Sequence, residues 1–146
     1  MASIGDSFFF RVPHSHLWVV ITNPDGPDRE FVMVNIETDS GHGEGACILQ
    51  PEDDHGDFIK EPSEVRYKDA QLWQETGPKG YNAQKAAGWI KPYGKLKEVT
   101  LGKIQDGAFL SEQFLYFTKL CDHLVNPITG EDDVRIKARK MLGLPC

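Results

Sequence analysis

Short apolar runs alternate with turn-forming residues along the first half of the chain. Residues 17–21 (LWVVI) and 31–36 (FVMVNI) are two such runs, and residues 23–28 (NPDGPD) separate them. Runs of this length that are rich in β-branched and aromatic residues are typical of buried strands, and Pro, Gly, Asn and Asp favour turns. The pattern therefore predicts an antiparallel hairpin at the centre of a small β domain.

Further apolar runs on both sides of the hairpin predict additional strands of the same domain. They are residues 5–12, 46–49 and 58–60, a run around Val65, Tyr67 and Leu72, and residues 98–101. Five or six short strands at this spacing are typical of a compact barrel or sandwich. We therefore expect a mainly β domain.

Residues 76–97 differ from this pattern because Gly and Pro interrupt them repeatedly. Asn82 is a suitable N-cap for one short helix that ends at Ala87. We interpret the segment as an insertion into the barrel, after which residues 98–101 return to the sheet.

The C-terminal part, residues 111–142, carries helical signals. Four apolar side chains recur at helical spacing: Phe114, Phe117, Cys121 and Leu124. Ser111 is a suitable N-cap for this helix. Residues 131–142 have acids in the first turn and bases in the last, which complements the helix dipole. Two C-terminal helices are predicted.

Length and composition indicate one domain that spans residues 1–146. The chain has 40% hydrophobic and 26% charged residues, which is ordinary for a soluble globular protein. No apolar run approaches the roughly 20 residues that cross a bilayer. The three cysteines are far apart and form no metal-ligand motif, so we expect free thiols in the cytoplasm.

The charge distribution singles out one basic segment on a chain whose net charge is -6. Residues 77–97 contain five lysines and no acid, with aromatic residues Tyr81, Trp89 and Tyr93 among them. Lysines can follow phosphates while aromatic faces stack on unpaired bases. This pattern predicts contacts with single-stranded nucleic acid through Lys85, Trp89 and Lys91. The alternative is a lysine-rich surface loop anchored by buried aromatic side chains.

Polar residues with proton-transfer chemistry lie at the outer ends of the predicted hairpin. His14 and His16 precede its first strand, and Thr38 follows the second. Hairpin pairing brings the start of one strand beside the end of the other. Histidine titrates near neutral pH and can move protons in phosphodiester cleavage, whereas a hydroxyl can bind a phosphate oxygen. The alternative is that both histidines are ordinary surface residues.

An acidic loop at residues 52–57 (EDDHGD) is a second candidate for chemistry. Its carboxylates suit a hard divalent cation, although the loop does not match the calcium-binding pattern. A solvated turn is the simpler interpretation. A metal-dependent phosphodiesterase built on this loop remains a third functional hypothesis.

The order of these features resembles the PemK/MazF toxin family. Gly5 and Asp6 before an aromatic strand are similar to the opening Gly-Asp pattern of that family. Residues 16–23 (HLWVVITN) resemble its Arg-Pro-Val-Val-Val-Ile-Ser-Asn strand, and residues 31–38 resemble the next strand, which ends in an Ile-Thr or Thr-Ser pair. Residues 63–71 and 101–104 are loosely similar to later family segments.

The resemblance implies an SH3-like barrel, usually dimeric, that cleaves single-stranded RNA without a metal and is neutralised by a protein antitoxin. In that family an arginine before the core strand and a hydroxyl residue after the next strand carry catalysis. His16 stands at the arginine position and Thr38 at the hydroxyl position. Histidine can act as acid or base, but it lacks the double-donor fork of arginine.

Together these observations predict an α+β, mainly β fold: a small SH3-like antiparallel barrel with C-terminal helices. The leading hypothesis is a toxin-like endoribonuclease that uses no cofactor, with His16 as base and His14 as acid. Thr38 would steady the phosphoryl oxygens, and Lys60 or the lysines around Trp89 would hold the RNA. The alternative is a non-catalytic protein- or nucleic-acid-binding module of the same fold.

Overall fold

A curled, six-stranded antiparallel sheet forms a half-barrel. The computed structural model describes residues 1–11, 16–116, 119–120, 128–129 and 136. The elements are β1 (Asp6–Phe10), β2 (Leu17–Val20), β3 (Glu30–Thr38), β4 (Ile48–Leu49), a 3₁₀ turn (Pro51–Asp53), β5 (Ser63–Gln74), α1 (Tyr81–Ala86), β6 (Ile90–Lys95) and α2 (Glu98–Leu110). The strand order is β4-β5-β3-β2-β1-β6. The predicted α+β, mainly β fold class is confirmed.

The predicted hairpin is the β2–β3 pair at the middle of this sheet. Leu17 lies opposite Ile36, and the pairing continues to Val20 opposite Met33. At the turn, the Thr22 hydroxyl oxygen accepts a hydrogen bond of 2.9 Å from the backbone N–H of Val32. The hairpin therefore pairs the two apolar runs with each other, as the sequence predicted.

Side chains from both faces of β2 are buried, which explains why its sequence is continuously apolar. Leu17 and Val19 enter a large core on one face, whereas Trp18 and Val20 enter an aromatic cluster on the other face. Successive residues of a strand point to opposite faces of the sheet. A strand covered on both faces therefore loses the apolar–polar alternation.

Helix α2 packs closely on the first of these cores. A side chain added at Gly107 would overlap the Tyr67 hydroxyl and the Cβ of Cys47. The Tyr67 hydroxyl donates a hydrogen bond of 2.5 Å to the carbonyl oxygen of Ile104. The predicted strand at residues 98–101 is wrong, because these residues form the first turn of α2. Buried positions such as Thr100 and Ile104 recur every three or four residues in this segment. This helical spacing outweighs the local preference for a strand.

The basic segment at residues 76–97 is part of the fold and not an insertion that leaves the barrel. Its predicted short helix exists as α1, although Gly80 and not Asn82 is its N-cap. Its second half is β6, which pairs with β1 and forms one edge of the sheet. An edge strand tolerates Pro92, which cannot donate a hydrogen bond to a neighbouring strand.

Two other predicted elements also differ from the structure. Residues 58–60 are irregular and not a strand. Ser111 ends α2, and residues 112–116 are not helical, so the helix predicted to begin at Ser111 does not begin there. Lys119, Leu120 and Ile136 are helical, whereas most of residues 117–142 lies outside the described residues.

Within the described ranges, no helix has both the length and the apolar character needed to cross a membrane.

Candidate active site

Three of the predicted site residues meet at one end of the sheet. His16 directly precedes β2, Thr38 ends β3, and Lys60 lies in the loop before β5. These three residues line one open pocket of about 540 Å³, which we call the His16 pocket. Its remaining lining residues are Ile36, Glu37, Phe58, Glu61 and Ser63. The antiparallel order of β2, β3 and β5 brings these strand ends together.

A carboxylate holds the imidazole of His16 at the edge of this pocket. The Nδ1 atom of His16 lies 3.3 Å from Oε1 of Glu37. The second oxygen of the same carboxylate accepts a hydrogen bond of 2.9 Å from Nη1 of Arg66. A carboxylate at this distance favours a proton on the neighbouring ring nitrogen, Nδ1. Glu37 therefore joins an arginine to the candidate catalytic base.

Sequence reasoning missed both Glu37 and Arg66. Their contact depends on the β3–β5 register, in which Asn35 lies opposite Arg66 after an irregularity between Met33 and Asn35. A bulge changes which residues meet, and hydrophobic patterning does not reveal its position. One hint was present in the sequence: Glu37 is a charged residue between Ile36 and Thr38, at the end of the predicted strand.

The loop that carries Lys60 is fixed by a buried aspartate. Asp54 accepts hydrogen bonds from the backbone N–H of Ile59 at 2.8 Å and of Gly56 at 3.1 Å. The Tyr93 hydroxyl donates to the same carboxylate at 3.1 Å. Burial raises the pKa of Asp54, but these hydrogen bonds outweigh it and lower the pKa below the ordinary value of 3.8. An ionised Asp54 thus holds the wall of the His16 pocket.

Trp89 and Lys91 lie at the same end of the sheet as the His16 pocket, on the far side of β1. The Trp89 side chain is 50% exposed, and its carbonyl oxygen accepts a hydrogen bond of 2.9 Å from the backbone N–H of Arg11. Lys91 of β6 lies opposite Phe9 of β1. Phe9 lies opposite Leu17 of β2, and Leu17 lies opposite Ile36 of β3. Three strand spacings separate Lys91 from Ile36, which is roughly 14 Å along the sheet.

Other parts of the basic segment have structural contacts. Lys85 lies over the ring of Tyr81, with Nζ 5.9 Å from the ring centroid, on the aromatic-cluster face away from the His16 pocket. Lys95 forms an ion pair of 2.9 Å with Asp6. The segment is therefore not one continuous RNA-binding surface, and buried Tyr81 matches the alternative interpretation of an anchored loop.

His14 lies outside the described residues, so its predicted role as the acid stays a prediction. In the acidic loop, Asp53 bonds Lys103 at 2.6 Å and Asp54 is held as described above. No group of three or more His, Cys, Asp or Glu residues in the described ranges is arranged to hold a metal ion. The geometry therefore gives no support to a metal-dependent site on that loop.

The comparisons with known proteins leave the family open. No protein-family model matches the chain, and no curated protein or solved structure matches it either. Membership of the PemK/MazF family therefore stays a prediction that rests on the sequence segments quoted above.

Proposed function

We propose that the protein is a toxin-like, metal-independent endoribonuclease that cleaves single-stranded RNA in the His16 pocket. The observation that carries the proposal is the combination of His16, held by Glu37, with the exposed Thr38 hydroxyl in one open cavity. A cavity of about 540 Å³ is within the size range of small-ligand sites and suits one nucleotide.

In the proposed reaction, Nε2 of His16 takes the proton of the ribose 2′-hydroxyl. The 2′-oxygen attacks the adjacent phosphorus, and the bond from phosphorus to the 5′-oxygen breaks. His14 gives a proton to the leaving 5′-oxygen, which leaves a 2′,3′-cyclic phosphate and a 5′-hydroxyl end. Thr38 donates a hydrogen bond to a phosphoryl oxygen, and Lys60 balances its negative charge.

The RNA strand would run from the His16 pocket across β1 toward Lys91 and Trp89. Lys91 contributes a positive charge, and the half-exposed indole of Trp89 provides a face on which a base stacks. Lys85 lies on the other face of the sheet and has no part in this path. The resemblance to the toxin family extends the proposal to a cytoplasmic homodimer that a protein antitoxin neutralises.

The direct test is incubation of the purified protein with a single-stranded RNA in the presence of a metal chelator. We expect cutting, with a 2′,3′-cyclic phosphate on the upstream product. An oligonucleotide with one 2′-deoxy residue at the cut position should stay intact, because it lacks the attacking hydroxyl. Cutting of the deoxy-substituted position, or loss of activity with the chelator, would contradict the mechanism.

A non-catalytic SH3-like binding module is the second candidate function. The observation that favours it is the exposure of Trp89 and Lys91, since these side chains need no reaction in order to bind RNA. This candidate predicts that RNA binds without cleavage under all conditions and that Lys91→Ala weakens the binding. Replacement of Lys79, an exposed lysine of the same segment outside the His16 pocket, is the matched control.

A further inference from the structure

The cations at the two ends of β6 differ in whether the chain itself neutralises them. At the end of the strand, Lys95 forms an ion pair of 2.9 Å with Asp6. At its beginning, the side chains of Arg11 and Lys91 are exposed and form no ion pair within the described ranges. On a chain whose net charge is -6, two exposed cations without a carboxylate partner favour an anionic ligand at this place.

Arg11 extends the pairing of β1 with β6 by one residue. Phe10 lies opposite Ile90, and the next backbone N–H, that of Arg11, donates a hydrogen bond of 2.9 Å to the carbonyl oxygen of Trp89. Directly opposite residues of an antiparallel pair lie on the same face of the sheet. Nη1 of Arg11 lies 3.9 Å from the position that a Cβ at Gly88 would occupy, so the guanidinium reaches the residue before Trp89.

The backbone that carries the indole is held on both sides. The N–H of Trp89 donates a hydrogen bond of 3.0 Å to the carbonyl oxygen of Gln84 in α1, and its carbonyl oxygen is bound by Arg11 as described above. The side chain is nevertheless 50% exposed, whereas Trp18 is 8% exposed. A ligand that stacks on this indole covers apolar surface at little cost in backbone ordering.

Arg11 and Trp89 lie on the same face of the sheet as a wall of the His16 pocket. Phe9 is two residues before Arg11, and residues two apart on a strand point to the same face. The ring centroid of Phe9 lies 5.1 Å from that of Phe58, which lines the His16 pocket. A strand of RNA therefore passes from the pocket to Trp89 without crossing to the other face.

We propose that Arg11 and Trp89 form a second nucleotide subsite, an inference that rests on the proposed ribonuclease function. We call it the Arg11 subsite. The guanidinium binds one phosphate through its fork of N–H donors, and the indole stacks on one base of the same RNA strand. Because every base has a face that stacks, this subsite increases affinity for longer RNA without selecting a sequence.

The distance between the two sites determines the length of RNA that reaches both. Three strand spacings separate β6 from β3, which carries Thr38, so Trp89 lies roughly 14 Å from that strand. This distance corresponds to about four nucleotides at the 3.4 Å rise of a stacked strand. A dinucleotide therefore occupies the His16 pocket alone, whereas a hexanucleotide occupies both sites.

The test measures binding to His16→Ala protein, so that RNA stays intact, with diadenylate and hexaadenylate as probes. We expect Trp89→Ala to weaken hexaadenylate binding by roughly 5- to 150-fold, the usual effect of one stacked base, and to leave diadenylate binding unchanged. Trp89→Phe keeps a ring for stacking and should retain more of the affinity than Trp89→Ala. Binding should quench the tryptophan fluorescence, and Trp89→Phe should remove most of that quenching.

Salt dependence tests the phosphate contact separately. Arg11→Gln should reduce the slope of log K against log salt for hexaadenylate by about 0.7, as the loss of one phosphate contact does on a single strand. Lys79→Gln is the matched control, because Lys79 is an exposed cation beside Glu30, at the opposite end of β3. It should leave the slope unchanged.

The outcomes separate this inference from the proposed function. RNA cleavage with hexaadenylate binding that Arg11→Gln and Trp89→Ala leave unchanged would overturn the Arg11 subsite alone. The expected losses of hexaadenylate binding without any RNA cleavage by the unmodified protein would support the subsite and contradict the ribonuclease. Equal effects of Arg11→Gln and Lys79→Gln would indicate general charge attraction and overturn the subsite. Equal losses of diadenylate and hexaadenylate binding in Trp89→Ala would overturn it as well.

Discussion

Glu37 of β3 and Glu64 of β5 lie opposite each other in the sheet, yet their carboxylates have different surroundings. In the His16 pocket, Glu37 has a partner on each oxygen, His16 and Arg66. Glu64 is only 3% exposed, and both oxygens of its carboxylate lie directly against the backbone of Gly43. The Glu37 carboxylate therefore orients other side chains, whereas the Glu64 carboxylate is enclosed by the chain itself.

The His16 pocket also differs in its support from a smaller cavity of about 290 Å³ that Glu64 and Arg66 line. Asp54 fixes one wall of the His16 pocket through three hydrogen bonds from Ile59, Gly56 and Tyr93. The smaller cavity is closed by the glycine-rich residues 40–45, in which Gly41 and Gly45 have positive φ angles of 75° and 67°. Catalysis requires fixed geometry, and the better-supported pocket is the one that contains the candidate base.

The largest effect on activity is expected when the candidate base, His16, is removed from its pocket. We expect His16→Ala to slow RNA cleavage by roughly 10²- to 10⁴-fold, the usual contribution of a general base, while RNA affinity stays the same. Cleavage rate and equilibrium binding measured on one RNA check this. Equal loss of binding and cleavage would mean that His16 holds the RNA and does not transfer a proton.

Helix α2 packs on Tyr67 of β5, and two glycines of that helix can test how close this packing is. Gly107→Ala should lower the free energy of unfolding by about 1–3 kcal/mol, because the new Cβ overlaps Tyr67 and Cys47. Gly102→Ala, with open space around it, should raise the free energy of unfolding by up to about 1 kcal/mol. Urea denaturation measures both, and equal effects would contradict the close packing at Gly107.

Replacement of Glu37 and of Glu64 by glutamine should have different effects on the stability of the fold. Glu37→Gln loses charge-assisted bonds to half-buried Arg66 and to His16, so we expect a loss of about 1 kcal/mol in stability. Glu64→Gln removes a largely buried charge that forms no ion pair within the described ranges, so it should leave stability unchanged or raise it. Thermal melting of both variants tests this, and a destabilised Glu64→Gln protein would reveal a structural partner for Glu64.

The smallest expected effect concerns pH and the wall of the His16 pocket. The folded pKa of Asp54 is below the ordinary 3.8, so ionised Asp54 stabilises the fold above that pH. This contribution begins to be lost as the pH falls below 3.8 and is fully lost below the folded pKa. Asp54→Asn should therefore flatten the acid dependence of stability, and exposed Asp57→Asn is the control.

If Asp57→Asn flattened the acid dependence as strongly as Asp54→Asn, the hydrogen bonds to Asp54 would not be its cause. Urea denaturation at several pH values between neutrality and pH 3 provides the comparison.

Much of the sheet could be predicted from the sequence, because local patterns determine it. The apolar runs on both sides of residues 23–28 gave β2, β3 and their pairing. Residues 98–101 were predicted as a strand from a short run that includes the β-branched residues Val99 and Thr100, whereas the packing of α2 on the core decides the outcome. Tertiary contact overrides propensity in such short segments.

The candidate site was predictable only in part. Hairpin geometry alone brought His16 and Thr38 to one end of the sheet, and Lys60 joined them in the same pocket. The contacts of Glu37 and the burial of Glu64 depend on the irregular β3–β5 register, which hydrophobic patterning does not reveal. The position of Lys85 could not be predicted from the sequence either, because it depends on how α1 packs on the aromatic cluster.

The most direct test of the central claim is the pH dependence of kcat/KM for RNA cleavage in the presence of a chelator. A base and an acid acting together predict a bell-shaped profile, and the residual activity of His16→Ala should lose the acidic limb. A monotonic profile, or an acidic limb that His16→Ala leaves unchanged, would contradict the account.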